Sequence, residues 1–154
     1  MFDNKQDLDF KIGKYKTKFG SEISLLYLAG HGNQNSFSDF NMNNSTKLNN
    51  ISCNTQILLD ACLTAGGYIK QSIAYKIAYE NNCEVFGATQ SIDRIQPIIQ
   101  KDKNDNPRVI SLGASLNGEV VPSYRITPPY KKITSYNFQK KILESRRNVH
   151  GISI

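Results

Sequence analysis

Two apolar runs stand out of an otherwise polar chain, Ile23–Ala29 and Ile57–Ala61. Both are close to continuous instead of alternating, the pattern of strands covered on both faces of a sheet. The first is therefore expected to lie centrally in that sheet. Ahead of it, residues 8–19 alternate apolar and polar positions around Gly13-Lys14, which predicts a hairpin within residues 1–22. Behind it, residues 33–55 are rich in Asn and Ser with scattered Phe37, Phe40 and Met42, and predict a long functional or disordered loop. After Gly66-Gly67, the stretch Tyr68–Asn82 places Ile69, Ile73 and Ile77 at helical spacing, with Asn81-Asn82 as a stop signal. Glu84–Ala88 reads as a short third strand. Strand, crossover helix and strand make a βαβ unit, which implies a parallel sheet and a right-handed connection.

Further along, the charged segment Lys101–Arg108 with its Asn106-Pro107 pair reads as a surface loop. Val109–Ala114 and Val120–Thr127 flank Asn117-Gly118, a strong hairpin signal. Pro128-Pro129 breaks the chain before an expected final helix over Ser135–Arg147. At 154 residues the chain is most simply one α/β domain with a mostly parallel central sheet flanked by helices. Its core is expected at 23–92, a loop and hairpin at 93–132, and a C-terminal helix at 133–154.

Net charge is +6, and Lys131, Lys132, Lys140, Lys141, Arg146 and Arg147 concentrate basic residues in the last third. Such a face favours an anionic ligand, nucleic acid or an anionic membrane; a solvated helix surface is the alternative. No stretch reaches the roughly 20 apolar residues of a membrane span. The residues Met1–Asp7 lack the charged and apolar regions of a signal peptide. The expected location is the cytoplasm, or outside the cell by a route needing no such signal. Three cysteines, Cys53, Cys62 and Cys83, suit a reducing compartment better than a disulfide framework. Together with His31 and His150 they show no zinc-ligand spacing, so neither metal nor other cofactor is expected.

The chemistry lies at the ends of the two apolar runs. One ends on Gly30-His31-Gly32 and the other on Asp60-Ala61-Cys62. A thiol nucleophile and an imidazole are the minimum equipment of a cysteine hydrolase, and in an open α/β sheet ligands gather beyond the carboxyl ends of the strands. If the two strands are neighbours, both side chains emerge into one pocket. The glycines beside His31 permit a sharp turn and a close backbone approach. The amides of Gly32 and Cys62 are candidates for an oxyanion site, and a helix just after Cys62 would favour its thiolate. Each residue also has a structural alternative, the cysteine as core and Gly-His-Gly as a loop with a hydrogen-bonded imidazole. Their joint occurrence at equivalent strand ends is less expected by accident and sets catalysis level with the structural alternative. Strand alternation puts Asp60 on the same side as Cys62. Its carboxylate would line the pocket, although a negative charge there disfavours a thiolate beside it; a structural Asp bonded to loop amides is the alternative.

An apolar strand ending in Gly-His-Gly, then an apolar strand ending in Asp-Ala-Cys, resembles the caspase-like (clan CD) cysteine peptidases. These include caspases, clostripain and gingipains, legumain, the self-processing domains of large bacterial toxins, and CHAT domains. Leu59-Asp60-Ala61-Cys62-Leu63 is most similar to the clostripain branch, and the resemblance covers roughly residues 23–92. It implies a caspase-like three-layer sandwich and a Cys62–His31 dyad that cleaves protein or peptide substrates. It further implies that Asp60 helps to choose a basic residue before the scissile bond. Gln90, Ser91 and Asp93 become candidate groove residues, with Asp93 a second acid and an ordinary polar loop as the alternative. Lys101, Lys103 and Arg108 are candidate self-cleavage sites in an exposed loop. By analogy with the toxin domains, the basic C-terminal region would take an inositol phosphate. The interval of 31 positions between His31 and Cys62 is short for the family, which motivates a second reading as a caspase-like binding or regulatory module. Cys–His pairs also serve deamidases and acyltransferases, a third reading.

Overall fold

In the computed structural model, which describes residues 2–127 and 131–134, a helix stands where the N-terminal hairpin is expected. Helix α1 (Lys5–Phe19) is capped by the Asn4 side chain, which accepts the Asp7 N–H, and ends at Gly20 with φ 64. Lys16 and Lys18 in its last turn complement the helix dipole. The alternation in the sequence is a poor guide here because only Leu8 and Ile12, an i, i+4 pair, are buried, while Phe10 is exposed. Gly13 does not turn the chain. A Cβ there would meet Asn50 Nδ2 at 3.0 Å, so its missing side chain lets α1 lie against the 49–50 segment. The amides of that segment bind the Asp9 carboxylate at 2.9 and 3.2 Å.

From α1 the chain runs through β1 (Leu25–Ala29), three two-residue strands β2 (Gly32–Asn33), β3 (Ser36–Phe37) and β4 (Phe40–Asn41), and then β5 (Gln56–Asp60). Helix α2 (Ile73–Asn81) returns it to β6 (Glu84–Ala88). A separate antiparallel sheet follows, made of β7 (Arg94–Lys101), β8 (Pro107–Leu116) and β9 (Glu119–Val121), before β10 (Ser123–Thr127) and β11 (Lys131–Thr134) rejoin the first sheet. The central order is β1-β5-β6-β10-β11. β1, β5 and β6 pair in parallel, β10 runs antiparallel to β6, and β11 antiparallel to β10. Four of the five strands therefore point one way, and the fold is mixed α/β.

What covers the sheet differs between its faces. On one, Leu28, Ile57, Leu59, Val85 and Ile126 pack against Leu8 and Ile12 of α1 and Ile73 and Ile77 of α2. On the other, Leu58, Phe86 and Ala88 pack against Ile95, Val109, Leu112 and Val121 of β7, β8 and β9. The segment after residue 93, expected as a loop with one hairpin, carries enough apolar positions to form a second sheet instead of a helical layer. Pro97 is accommodated in β7 because β7 is an edge strand of that sheet. Asn117 (φ 52) and Gly118 (φ 81) make the tight turn from β8 to β9. The turn at the other end of β8 is confined to residues 102–106, so Lys101 and Arg108 belong to strands.

Among the described residues β1 occupies the sheet edge and not the expected centre. Only its Leu28 is buried, and Tyr27 is 49% exposed. β5 lies inside the sheet between β1 and β6, with Gln56 to Leu59 all buried. The Asn/Ser-rich segment 33–55 is built around β2, β3 and β4 instead of a structureless loop. Asn33 Oδ1 accepts two following amides and Asn41 Oδ1 two more, at 2.8 to 3.1 Å, while Phe37 and Phe40 are buried. Asn81, the expected stop signal, is the last helical residue and is buried, bridging Leu48 N–H and the Thr46 carbonyl. Asn82 supplies the left-handed cap, at φ 48. Lys131 and Lys132 stand on β11; the final helix and Lys140, Lys141, Arg146 and Arg147 lie outside the described residues. No helix among the described residues is long and apolar enough to cross a membrane.

Candidate active site

The pairing of β1 with β5 runs in register from Leu25 opposite Gln56 to Ala29 opposite Asp60, so the two strands end side by side. Gly30 extends the contact, its N–H donating to the Asp60 carbonyl at 3.2 Å. His31 follows on one strand, Ala61 and Cys62 on the other. The His31 carbonyl accepts the Ser38 N–H at 3.0 Å, which ties this turn to β3 and β4. Gly32 makes the approach close. A Cβ there would stand 2.8 Å from Thr64 Cγ2, 2.9 Å from Ala61 Cβ and 3.0 Å from the Cys62 carbonyl oxygen. Neither Gly30 nor Gly32 has a positive φ, so Gly32 is required for contact and not for turning. The His31 ring is exposed and makes no side-chain hydrogen bond among the described residues.

Cys62 is positioned by a different element. β5 ends at Asp60, so strand alternation does not reach the cysteine. Its Sγ instead accepts the Ile92 N–H at 3.3 Å and lies 3.6 Å from the Ile92 carbonyl, to which the thiol donates. Leu63, immediately after it, has φ 60, a conformation costing a bulky residue on the order of 1–3 kcal/mol. Backbone bonds hold it there. The Leu63 N–H reaches the Gln90 carbonyl at 3.0 Å, the Ala65 N–H the Ala88 carbonyl at 2.9 Å, and the Gly66 N–H the Leu63 carbonyl at 2.9 Å. The helix expected over Tyr68–Asn82 is present as α2 but begins only at Ile73, so it does not start just after Cys62. Its first amides are taken by the Gln34 and Thr64 carbonyls at 2.8 and 2.9 Å and by the Ser72 hydroxyl at 3.2 Å. Dipole support for Cys62 from that helix drops out.

Asp60 is half-buried, and its Oδ2 accepts the Tyr27 hydroxyl at 2.5 Å. Tyr27 lies opposite Leu58 in the register, so the pair is a diagonal contact on the face shared with Leu58. The bond to Asp60, aided by burial and by the carboxylate charge, pushes the Tyr27 phenol up to about 12. The segment after β6 crosses this end of the sheet. Gln90 and Ser91 are exposed, and Gln90 contributes its carbonyl to the Leu63 turn. Asp93 is exposed as well; its N–H donates to the Ser115 carbonyl at 2.8 Å and its Oδ2 accepts the Asn117 N–H at 2.7 Å, which ties it to the β8–β9 turn. The other two thiols differ sharply from each other. Cys53 is exposed, whereas Cys83 is fully buried and burial pushes it up to about 12.

The strand-end arrangement thus brings together the His31–Gly32 backbone, the Cys62 turn and the 89–93 segment, with Tyr27–Asp60 on one sheet face below. Sequence reasoning missed Tyr27 and Ile92. A tyrosine interrupting an apolar run was the available sign of the first; the second acts through its backbone and left none. A separate cavity of about 530 Å³, lined by Glu22, Ser24, Asn54, Asp102 and Arg108 among others, lies at the opposite end of β1 and β5. Comparison with protein-family models, with curated proteins and with solved structures returns no match.

Proposed function

We propose that the chain is a caspase-like cysteine peptidase of the clostripain type, with Cys62 as nucleophile and His31 as its acid–base partner. One observation carries this reading: adjacent parallel strands end in register, and Gly32 packs directly on the Cys62 turn. In the proposed reaction His31 takes the thiol proton as Sγ attacks the substrate carbonyl carbon. The C–N bond then breaks as the imidazolium protonates the departing amine, and water hydrolyses the resulting thioester. The amides of Gly32 and Cys62 face the developing oxyanion, and the Ile92 N–H aimed at Sγ stabilises negative charge on sulfur. Asp60 selects a Lys or Arg side chain before the scissile bond, and Gln90 and Ser91 line the groove.

The strained Leu63 turn next to the thiol supports the proposal, because such strain persists where surrounding bonds over-determine it and clusters at functional sites. A binding module on the same scaffold is the second reading, favoured by a thiol that donates to the Ile92 carbonyl and an imidazole without a side-chain hydrogen bond among the described residues. The two separate cleanly by measurement. Peptides with basic residues are incubated with wild type and Cys62→Ala, and native thiols are labelled with iodoacetamide. A peptidase cleaves with Cys62 present and not with alanine, and its Cys62 alkylates faster than exposed Cys53. Equal behaviour of both proteins toward the peptides, with Cys62 slower than Cys53, removes the peptidase reading.

A further inference from the structure

Among the described residues, five carboxylates are half-buried, and four of them have a charged or backbone partner. Asp7 faces Lys11 at 2.8 Å, Glu80 faces Lys76 at 3.2 Å, and Glu84 faces Arg125 at 3.8 Å. Asp9 accepts the Asn49 and Asn50 amides. Asp60 differs: among the described residues its hydrogen-bond partner is the neutral Tyr27 hydroxyl on Oδ2, and none of their cations lies within ion-pair distance of it. A half-buried carboxylate needs compensation, since removing charge from water is costly unless a partner replaces the lost hydration. Here one oxygen is anchored by a neutral donor, and among the described residues nothing pairs with Oδ1 or matches the net charge.

We infer that Tyr27 is a positioning residue that holds the Asp60 carboxylate for a guanidinium or ammonium group supplied by the substrate. The inference rests on the peptidase reading above and adds to it a residue on the neighbouring strand. A phenol suits the task because it fixes one oxygen without neutralising the charge, as a lysine or arginine there would do. The backbone that carries Tyr27 is held by the register of β1 with β5 over five residue pairs. The Tyr27 hydroxyl therefore sets which oxygen of Asp60 remains open and in what direction.

The test compares peptide amides carrying arginine or its neutral isostere citrulline before the scissile bond, with wild type, Tyr27→Phe and Asp60→Asn. Losing one hydrogen bond that orients the carboxylate is expected to lower the arginine-to-citrulline ratio of kcat/KM by about fivefold in Tyr27→Phe. The loss should appear as a higher KM for arginine, with kcat and the citrulline substrate unaffected. Asp60→Asn should bring the ratio close to one. Citrulline turnover serves as the control for folding, because a merely structural role would lower both substrates together. An unchanged ratio in Tyr27→Phe, or a parallel fall for both substrates, overturns the positioning role while leaving the peptidase intact. Absence of cleavage of either peptide by wild type, with no Cys62 alkylation by a lysyl chloromethyl ketone, overturns the peptidase reading and this inference with it.

Discussion

β1 and β5 are both short, apolar and paired residue for residue, yet they live in different environments. Gln56 to Leu59 of β5 are buried, while β1 buries Leu28 alone and exposes Tyr27. β5 has a strand on each side and helices and a second sheet above and below. β1 has a strand on one side only among the described residues. Apolar continuity therefore identifies a strand without stating its rank in the sheet. Rank is decided by how many neighbours the rest of the chain supplies. The same contrast extends to the strand ends: the β5 end holds its thiol through Ile92 and Leu63, whereas the β1 end presents an exposed imidazole on a turn held by backbone contacts.

The contrast predicts a hierarchy of effects. Cys62→Ala at the end of β5 should abolish peptide cleavage, while His31→Ala at the end of β1 should slow it by about 100- to 10,000-fold, the usual contribution of a general acid–base group. Equal residual rates in the two variants would contradict distinct roles for the strand ends. Urea unfolding should rank the strands in the same order. Leu59→Ala is expected to cost about 2–5 kcal/mol as a buried large-to-small change, and Leu25→Ala, on the half-buried edge, about 1 kcal/mol. Similar losses for both would mean that β1 is as buried as β5 in solution.

The glycines beside His31 sharpen the comparison at the junction. Gly32→Ala places a Cβ within 3.0 Å of Thr64, Ala61 and Cys62, and overpacking of that kind costs about 1–3 kcal/mol. Gly30→Ala would meet the Phe37 ring at an ordinary 3.5 Å and should change stability by less than about 0.5 kcal/mol. The smallest effect is alkaline. The Tyr27 phenol ordinarily loses its proton near 10.0 and keeps it to about 12 in the folded protein. The folded state thus binds more protons in that window, and the stability present below pH 10 is lost as pH rises toward 12. Cys83, held up to about 12 by burial, contributes to the same loss in any Tyr27 variant. Melting temperatures at pH 9 and 11.5 should therefore fall slightly more for wild type than for Tyr27→Phe. Equal falls would mean that the Tyr27–Asp60 bond is absent in solution.

Much of the arrangement is legible in local residue patterns because its causes are local. Asn117-Gly118 makes a tight turn since both positions need positive φ, and Ile73 with Ile77 marks a helix face since they share one side of α2. The N-terminal segment shows how the same approach fails. Leu8, Phe10 and Ile12 alternate, but the cap at Asn4 and the approach of Asn50 to Gly13 select a helix. The latter contact comes from residues 37 positions away in sequence, beyond any window of periodicity. The same distance problem hides the site's supports, since Ile92 reaches Cys62 and Tyr27 reaches Asp60 across separations of 30 and 33 residues.

The amino-acid sequence by itself determined that His31 and Cys62 each follow closely on an apolar strand, because apolar runs, glycines and strand length are short-range properties. Tertiary structure alone decided that those strands are neighbours in register, that the thiol meets the Ile92 amide, and that Asp60 is held by Tyr27. These are properties of pairing between distant segments, fixed by which faces can be buried together, and no single segment encodes them.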